Sequence, residues 1–269
     1  MTTPDVPYRF ELELTVTGTP EQVWEAIATA EGLTSWMTPT TLEPQVGGAV
    51  AFDMGPDATS HGKVTAFEPA RHIAYEEYWD TLTGHDGAAV TPLVTEFLIE
   101  ARSGGTCVVH VVTSAFGTGA DWEQEFWDEM DLGWGSMLDN LRLYLASFPG
   151  QHATPLWAGT TVASTPEQSV AAIRAALVAD ASGDAVNARG VTGRFERSLD
   201  RHFLVRIEEP VGGFLSCMSY ATEEGSGVHL QGYLFGEDAP AYVEREQPQW
   251  QAWLDGVAAE AGSVKVPPG

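Results

Sequence analysis

The stretch TPEQVWEAIATA, from Thr19 to Ala30, returns as TPEQSVAAIRAA, from Thr165 to Ala176, with seven identities in twelve positions. Each copy follows a short β-like run, Phe10 to Val16 in the first case and Leu156 to Ala163 in the second. In each, Thr takes the N-cap, Pro the first helical position, and Glu the first turn, where the helix dipole favours negative charge. A second echo closes the two halves: Trp134 and Leu138 are answered by Trp250 and Leu254 inside long helical patterns. A recurring strand–helix opening and helical close predicts two related domains in tandem. Their expected bounds are residues 1–148 and 154–262, joined by a Pro149-Gly150 linker.

Between opening and close, the first half reads as strands. Tyr8, Phe10, Leu12, Leu14 and Val16 alternate with polar residues, as in a half-buried strand. Val23, Trp24, Ile27 and Ala30 then follow helical spacing, and Gly32 is expected to end that helix. Five more strand-like runs follow: 49–54, 62–67, 72–79, 93–101 and 106–115. Gly47-Gly48, Pro69, the 83–87 segment and Gly104-Gly105 punctuate them. No long helix lies between these runs, so the sheet should be antiparallel. A helix over 121–145 carries Phe126, Met130, Trp134, Met137, Leu138, Leu141 and Leu145 along one stripe. The second half repeats the plan with one strand fewer and no counterpart of the Trp36 segment. The fold class is α+β, a sheet closed by a long helix, in two copies.

The charge balance excludes some partners. Thirteen basic residues against 38 acidic ones give a formal net charge of −25, which repels phosphate backbones and anionic headgroups. Nucleic acid and membrane are therefore not expected as partners. Cys107 and Cys217 form no CxxC and read as two buried free thiols in a reducing compartment. The first residues lack a signal-peptide pattern, and no run of about 18 apolar residues exists. A cytoplasmic location is expected. The histidines show neither HxH nor HExxH spacing, and the acidic run from Asp121 to Asp131 lacks a calcium-loop pattern, so no metal is expected. Without a phosphate-cradling loop or a GxSxG elbow, no cofactor or catalytic signature is read, and a binding protein is expected rather than an enzyme.

The first half resembles the AHSA-type branch (activator of heat-shock-protein ATPase homologues) of the SRPBCC, or START-like, helix-grip superfamily. The residues that carry the resemblance are Pro20-Glu21, Val23-Trp24, Ala26-Ile27, Glu31-Gly32-Leu33 and Trp36. Gly47-Gly48, Gly62, Val64, Pro69, Thr106, Phe116 and Gly133-Trp134 extend it over most of residues 8–147. The resemblance implies a curved antiparallel sheet gripping a long C-terminal helix, with a mostly apolar cavity between them. Members bind hydrophobic small molecules, and some relatives are cyclases, hydratases or dehydratases. The second half departs from the pattern, with Ser169-Val170 in place of Val23-Trp24, and reads as a degenerate copy.

With that fold in mind, Trp36, Phe52, Met54, Tyr75, Trp79, Phe116, Trp134 and Met137 are expected to line a pocket. The same side chains could equally form a filled core. His110, in phase with Val108 and Val112, is the first polar candidate, followed by Glu77 and Tyr75 and then Glu96. A His110–Glu77 or His110–Tyr75 pair within hydrogen-bond reach could do acid–base work. The alternative is a satisfied core histidine and a solvent-facing Glu77. Three functions therefore stand: a module holding a small hydrophobic molecule, a regulatory partner of a chaperone or other ATPase, and a cyclase- or hydratase-type enzyme.

Overall fold

In the computed structural model, which describes residues 6–55, 58–78, 91–178 and 183–263, the chain divides into two compact units, Met1–His152 and Ala153–Gly269. Trp79 and the 83–87 turn lie outside the described residues.

The first unit runs β1 (Val6–Thr17), α1 (Pro20–Ala28), α2 (Ala30–Thr34), β2 (Thr40–Leu42), β3 (Ala49–Asp53), β4 (Thr59–Glu68), β5 (His72–Tyr78), β6 (Leu93–Arg102), β7 (Thr106–Gly117) and α3 (Asp121–Ser147). Its strands form one antiparallel sheet in the order β1-β7-β6-β5-β4-β3-β2. The second unit runs β8 (Thr154–Val162), α4 (Pro166–Leu177), β9 (Ala185–Ala188), β10 (Val191–Ser198), β11 (His202–Glu209), β12 (Gly213–Thr222), β13 (Gly225–Leu234) and α5 (Ala239–Ser263). Its order is β8-β13-β12-β11-β10-β9. In both, the first strand pairs with the last, and a long helix closes the chain. Among the described residues the second copy has no counterpart of α2 and β2, which are neighbours in the first. Two helix-grip domains stand in tandem, the second shortened.

Identical chemistry starts α1 and α4. Thr19 Oγ1 accepts from the Gln22 N–H at 3.4 Å while Gln22 Oε1 accepts from the Thr19 N–H at 2.9 Å. Thr165 and Gln168 exchange the same two bonds, each at 3.4 Å. The repeated TPEQ is thus a capping box with Pro just inside it. Substituting Thr19→Ala or Thr165→Ala should each cost about 1 kcal/mol in urea unfolding of the chain. A cost near zero at both positions would show that the boxes do not set these helix starts.

The expectation that Gly32 ends the first helix needs correction. Thr29 breaks α1 and caps α2: its hydroxyl donates to the Glu25 carbonyl at 2.7 Å and accepts from the Gly32 N–H at 2.9 Å. Gly32 sits inside α2, where a Cβ would lie 1.9 Å from the Glu25 carbonyl oxygen. Close packing of α2 on α1 demands that glycine.

The direction of α3 is set where it leaves β7. The buried Glu123 carboxylate accepts from Thr118 N at 3.0 Å, Thr118 Oγ1 at 2.8 Å and Gly119 N at 2.9 Å. Burial works to raise its pKa, yet these hydrogen bonds outweigh it and leave the group below its ordinary value. One turn on, Trp127 stacks on Tyr8 at 5.5 Å and meets Phe10 edge-on at 5.6 Å. Helix and sheet are thereby joined along β1.

Candidate functional site

Contacts of α3 identify which face of the first sheet looks inward. Phe97 of β6 meets Trp134 of α3 at 5.6 Å, so Phe97 and everything in phase with it faces the helix. Register then gives the inner rows. One runs Ile73–Phe97–Val111–Leu12, the next Val64–Tyr75–Thr95–Thr113–Phe10. A third row holds Gly62, Glu77 and Leu93. β4 comes close to β5 here, since a Cβ on Gly62 would lie 1.9 Å from the Glu76 carbonyl oxygen.

Aromatic rings wall this face. Phe52 of β3 lies 5.1 Å from Tyr75, and Tyr75 lies 6.3 Å from Phe97. Among them sits a carboxyl. Glu77 is 7% exposed and accepts a 2.5 Å hydrogen bond from the Ser60 hydroxyl of β4. Burial raises its pKa to about 7, against a smaller downward pull from Ser60. Burial, and then the Glu77 charge, also hold the Tyr75 phenol well above its ordinary range. Near neutral pH the inner face therefore carries a carboxyl that can give or take a proton. Thr95 and Thr113 are fully buried beside it, and neither hydroxyl has a hydrogen-bond partner. An unpaired buried hydroxyl typically costs about 1–3 kcal/mol, and here two stand side by side.

Several expected pocket residues fall where the spacing placed them. Phe52, Tyr75, Glu77 and Trp134 are buried on the inner side, while Met54 at the end of β3 and Met137 of α3 are half-buried. Trp36 is different. It is completely buried beneath α1, where its indole N–H donates to the Ala26 carbonyl at 2.9 Å. Its own carbonyl accepts from Asn140 Nδ2 of α3 at 3.2 Å, and its ring meets Phe97 at 6.4 Å. Trp36 thus joins α2 to α1 and α3.

His110 and Phe116 need correction. Both stand on the opposite face of the sheet, out of phase with Val109, Val111 and Thr113. His110 faces Glu13 at 3.9 Å and Glu100 at 3.7 Å, and Phe116 is 49% exposed. Glu96 lies on that face too, 3.1 Å from His72. An acid–base pair of His110 with Glu77 or Tyr75 cannot form, because the sheet separates them. Ser60, Thr95 and Thr113 join Glu77 and Tyr75 on the inner face and go unread in the sequence, although Thr95 stands two residues from Phe97 and Thr113 two from Val111, with Ser60 opposite Phe52.

The second domain buries an apolar core between its sheet and α5. An apolar recess there, walled by Leu156, Ile207, Leu215, Tyr242 and Trp250 over Gly232, has room for about one water molecule. Among the described residues no three His, Cys, Asp or Glu side chains gather as metal ligands, and no helix is long and apolar enough to cross a membrane.

Residues 17–146, just under half of the chain, match the model of the family described as Activator of Hsp90 ATPase homolog 1-like protein. No curated protein matches the chain. Among similar solved structures, protein MLL2253 from Mesorhizobium loti is 19% identical over 52% of this chain and 98% of its own, with a TM-score of 0.45. The Aha1 dimer from Colwellia psychrerythraea is 18% identical over 51% of this chain and 96% of its own, with a TM-score of 0.41. The di-domain ARO/CYC BexL from the BE-7585A biosynthetic pathway is 12% identical over 96% of this chain and 100% of its own, with a TM-score of 0.44. Within the first of the two helix-grip domains, residues 17–146 are thus similar to the Activator of Hsp90 ATPase homolog 1-like family.

Proposed function

We propose that the first domain binds a small, largely apolar molecule between the inner face of its sheet and α3, with Glu77 as the polar anchor. The observation that supports this is the Glu77 carboxyl, buried among aromatic rings and held by a single hydroxyl. A core that had only to be stable gains nothing from a carboxyl there, since burying one costs several kcal/mol whenever it ionises. A buried, perturbed acid on the same sheet face as Phe52, Tyr75 and Phe97 is the pattern of a site that orients a ligand by one polar group.

Met137 tests the reading. It lies one turn beyond Trp134 on α3 and is half-buried, so an indole at this position would crowd the space beside Trp134. Met137→Trp should weaken binding of the neutral probe N-phenyl-1-naphthylamine at least tenfold while leaving the far-ultraviolet circular dichroism unchanged. Undiminished probe uptake by a folded variant would count against a site at this place.

A further inference from the structure

β1 and β8 open the two copies, and each is an edge strand of its own sheet. Their free edges are treated differently. In β8 the outward backbone groups are taken by α5: Gln247 Oε1 accepts from the Trp157 N–H at 3.4 Å, and Gln251 Oε1 accepts from the Gly159 N–H at 3.1 Å. The Gln251 amide also donates to the Gly159 carbonyl at 2.9 Å. Four helical residues rise about 6 Å and two strand residues about 6.6 Å, so glutamines one turn apart match alternate strand positions. Leu156, Ala158 and Val162, on the inner side of β8, are all buried.

β1 has no such cover. The Gly18 N–H bonds the Gly105 carbonyl at 2.9 Å and the β1–β7 register is unbroken, so the even-numbered residues of β1 bond β7. The N–H and C=O groups of Arg9, Glu11, Glu13 and Thr15 therefore point outward, and among the described residues nothing bonds them. Counted back from the two TPEQ boxes, Glu11 and Glu13 correspond to Trp157 and Gly159. The Trp134–Trp250 correspondence likewise puts Asp131 and Gly135 of α3 where α5 has Gln247 and Gln251. A Cβ at Gly135 would have nothing within 4 Å. Tyr8, Phe10 and Leu12, on the inner side of β1, are only half-buried.

We infer that the open edge of β1, residues 9–15, is a docking strand for an extended, basic segment of another protein, added antiparallel to the sheet. Backbone pairing along the edge supplies affinity, and the side chains facing each other across it supply selection. Glu11 and Glu13 are exposed; Glu11 is met by Arg9 of its own strand at 2.9 Å, and Glu13 by His110 at 3.9 Å. Opposite charges on facing residues strengthen a ladder and like charges oppose it, so Lys or Arg belongs opposite both glutamates and an acid opposite Arg9. The alternate residues of the segment are apolar and extend the half-covered row of Tyr8, Phe10 and Leu12. A second copy does not meet these terms. Antiparallel pairing of β1 with itself over residues 9–15 sets Glu11 against Glu13 twice, and a net charge of −25 on each chain adds to the repulsion.

The test titrates the full chain with a labelled peptide, Thr-Val-Lys-Val-Lys-Val-Glu, blocked at both ends. Laid antiparallel, it sets its lysines opposite Glu13 and Glu11 and its glutamate opposite Arg9. By fluorescence anisotropy it should bind about tenfold or more tighter than the charge-reversed Thr-Val-Glu-Val-Glu-Val-Lys. Methylating the backbone nitrogens of the two lysines, which leaves the charge intact, should abolish binding. Hydrogen exchange at the Arg9, Glu11, Glu13 and Thr15 amides should slow when the unmodified peptide is bound. The Glu11→Lys/Glu13→Lys variant, changed only at exposed positions, should prefer the charge-reversed peptide. Equal affinity for the two unmodified peptides, or undiminished binding of the methylated one, would overturn the docking strand, as would binding that leaves those amides unprotected. Failure of every peptide would overturn it too, and a dimer of the chain that protects the same amides would give the edge to a second copy instead.

Discussion

Replacing Glu77 with glutamine should raise stability at pH 8 by about 3 kcal/mol and leave it nearly unchanged at pH 4.5. The sign follows from where the proton sits. In the unfolded chain a glutamate titrates near its ordinary value of 4.5, whereas in the folded protein burial moves Glu77 to about 7. Below 4.5 both states hold the proton and the group contributes no pH dependence. Between these values the native state keeps a proton that the unfolded state has released, so stability falls as pH rises. The slope is about 1.4 kcal/mol per pH unit, and the loss is complete once pH exceeds the folded value. Glutamine retains an oxygen for the Ser60 hydroxyl but never ionises, so it removes that slope. Urea unfolding of wild type and Glu77→Gln at half-unit pH steps reads the difference directly, and other titrating groups cancel in it. If both proteins show the same slope between pH 5 and 7, Glu77 is not buried as a titrating carboxyl.

A stability loss of this kind at the pH where a protein works is tolerated when the group does something. That argument separates Glu77 from Glu123, another buried carboxylate of the first domain. Glu123 receives three hydrogen bonds from the β7–α3 joint and sits below its ordinary pKa, so ionisation is what the fold rewards there. Glu77 receives one and sits above it. Glu123 holds the helix over the sheet, and Glu77 lies on the sheet face turned to α3.

How far the sequence reveals this depends on how much each element constrains itself. The capping boxes are local, written in four residues, and they mark both domain starts without ambiguity. The helix stripe is legible in part: Trp134, Leu138, Leu141 and Leu145 are buried, but so are Trp127, Leu143 and Tyr144 outside it. Strand β7 is not. Its run Cys107-Val108-Val109-His110-Val111-Val112 is apolar on both faces, and Val108 and Val112 are nearly as buried as Val109 and Val111. Alternation therefore gives no parity, and His110 goes to the wrong side. Pairing with β6 removes the ambiguity, because Phe97 opposite Val111 and glutamates at 96 and 100 show which side is wet. Short elements were also illegible: α2 and β2 have five and three residues, too few for any period to register.

Trp36→Ala should destabilise the first domain by about 3–5 kcal/mol, the usual cost of emptying a buried tryptophan site. That corresponds to a melting-temperature drop of roughly 10–15 °C for a domain of this size. The residue looked like a ligand contact from its place in the family pattern. Its bonds say otherwise: the indole N–H is used by the Ala26 carbonyl, and Phe97 stands against its ring. Trp36→Phe separates the two roles. It keeps most of the volume but leaves the Ala26 carbonyl without its donor, so it should cost about 1–2 kcal/mol and leave the affinity for N-phenyl-1-naphthylamine within twofold of wild type. The second half has no tryptophan at the equivalent point of its sequence, and Ala26, Phe97 and Asn140, which Trp36 meets, belong to the first domain. Hydrogen exchange in the Trp36→Ala protein should therefore quicken across α1, β6 and α3 and stay slow across β11 to β13. A Trp36→Phe variant of undiminished stability that loses the probe would return Trp36 to the ligand-binding surface and remove it from the frame.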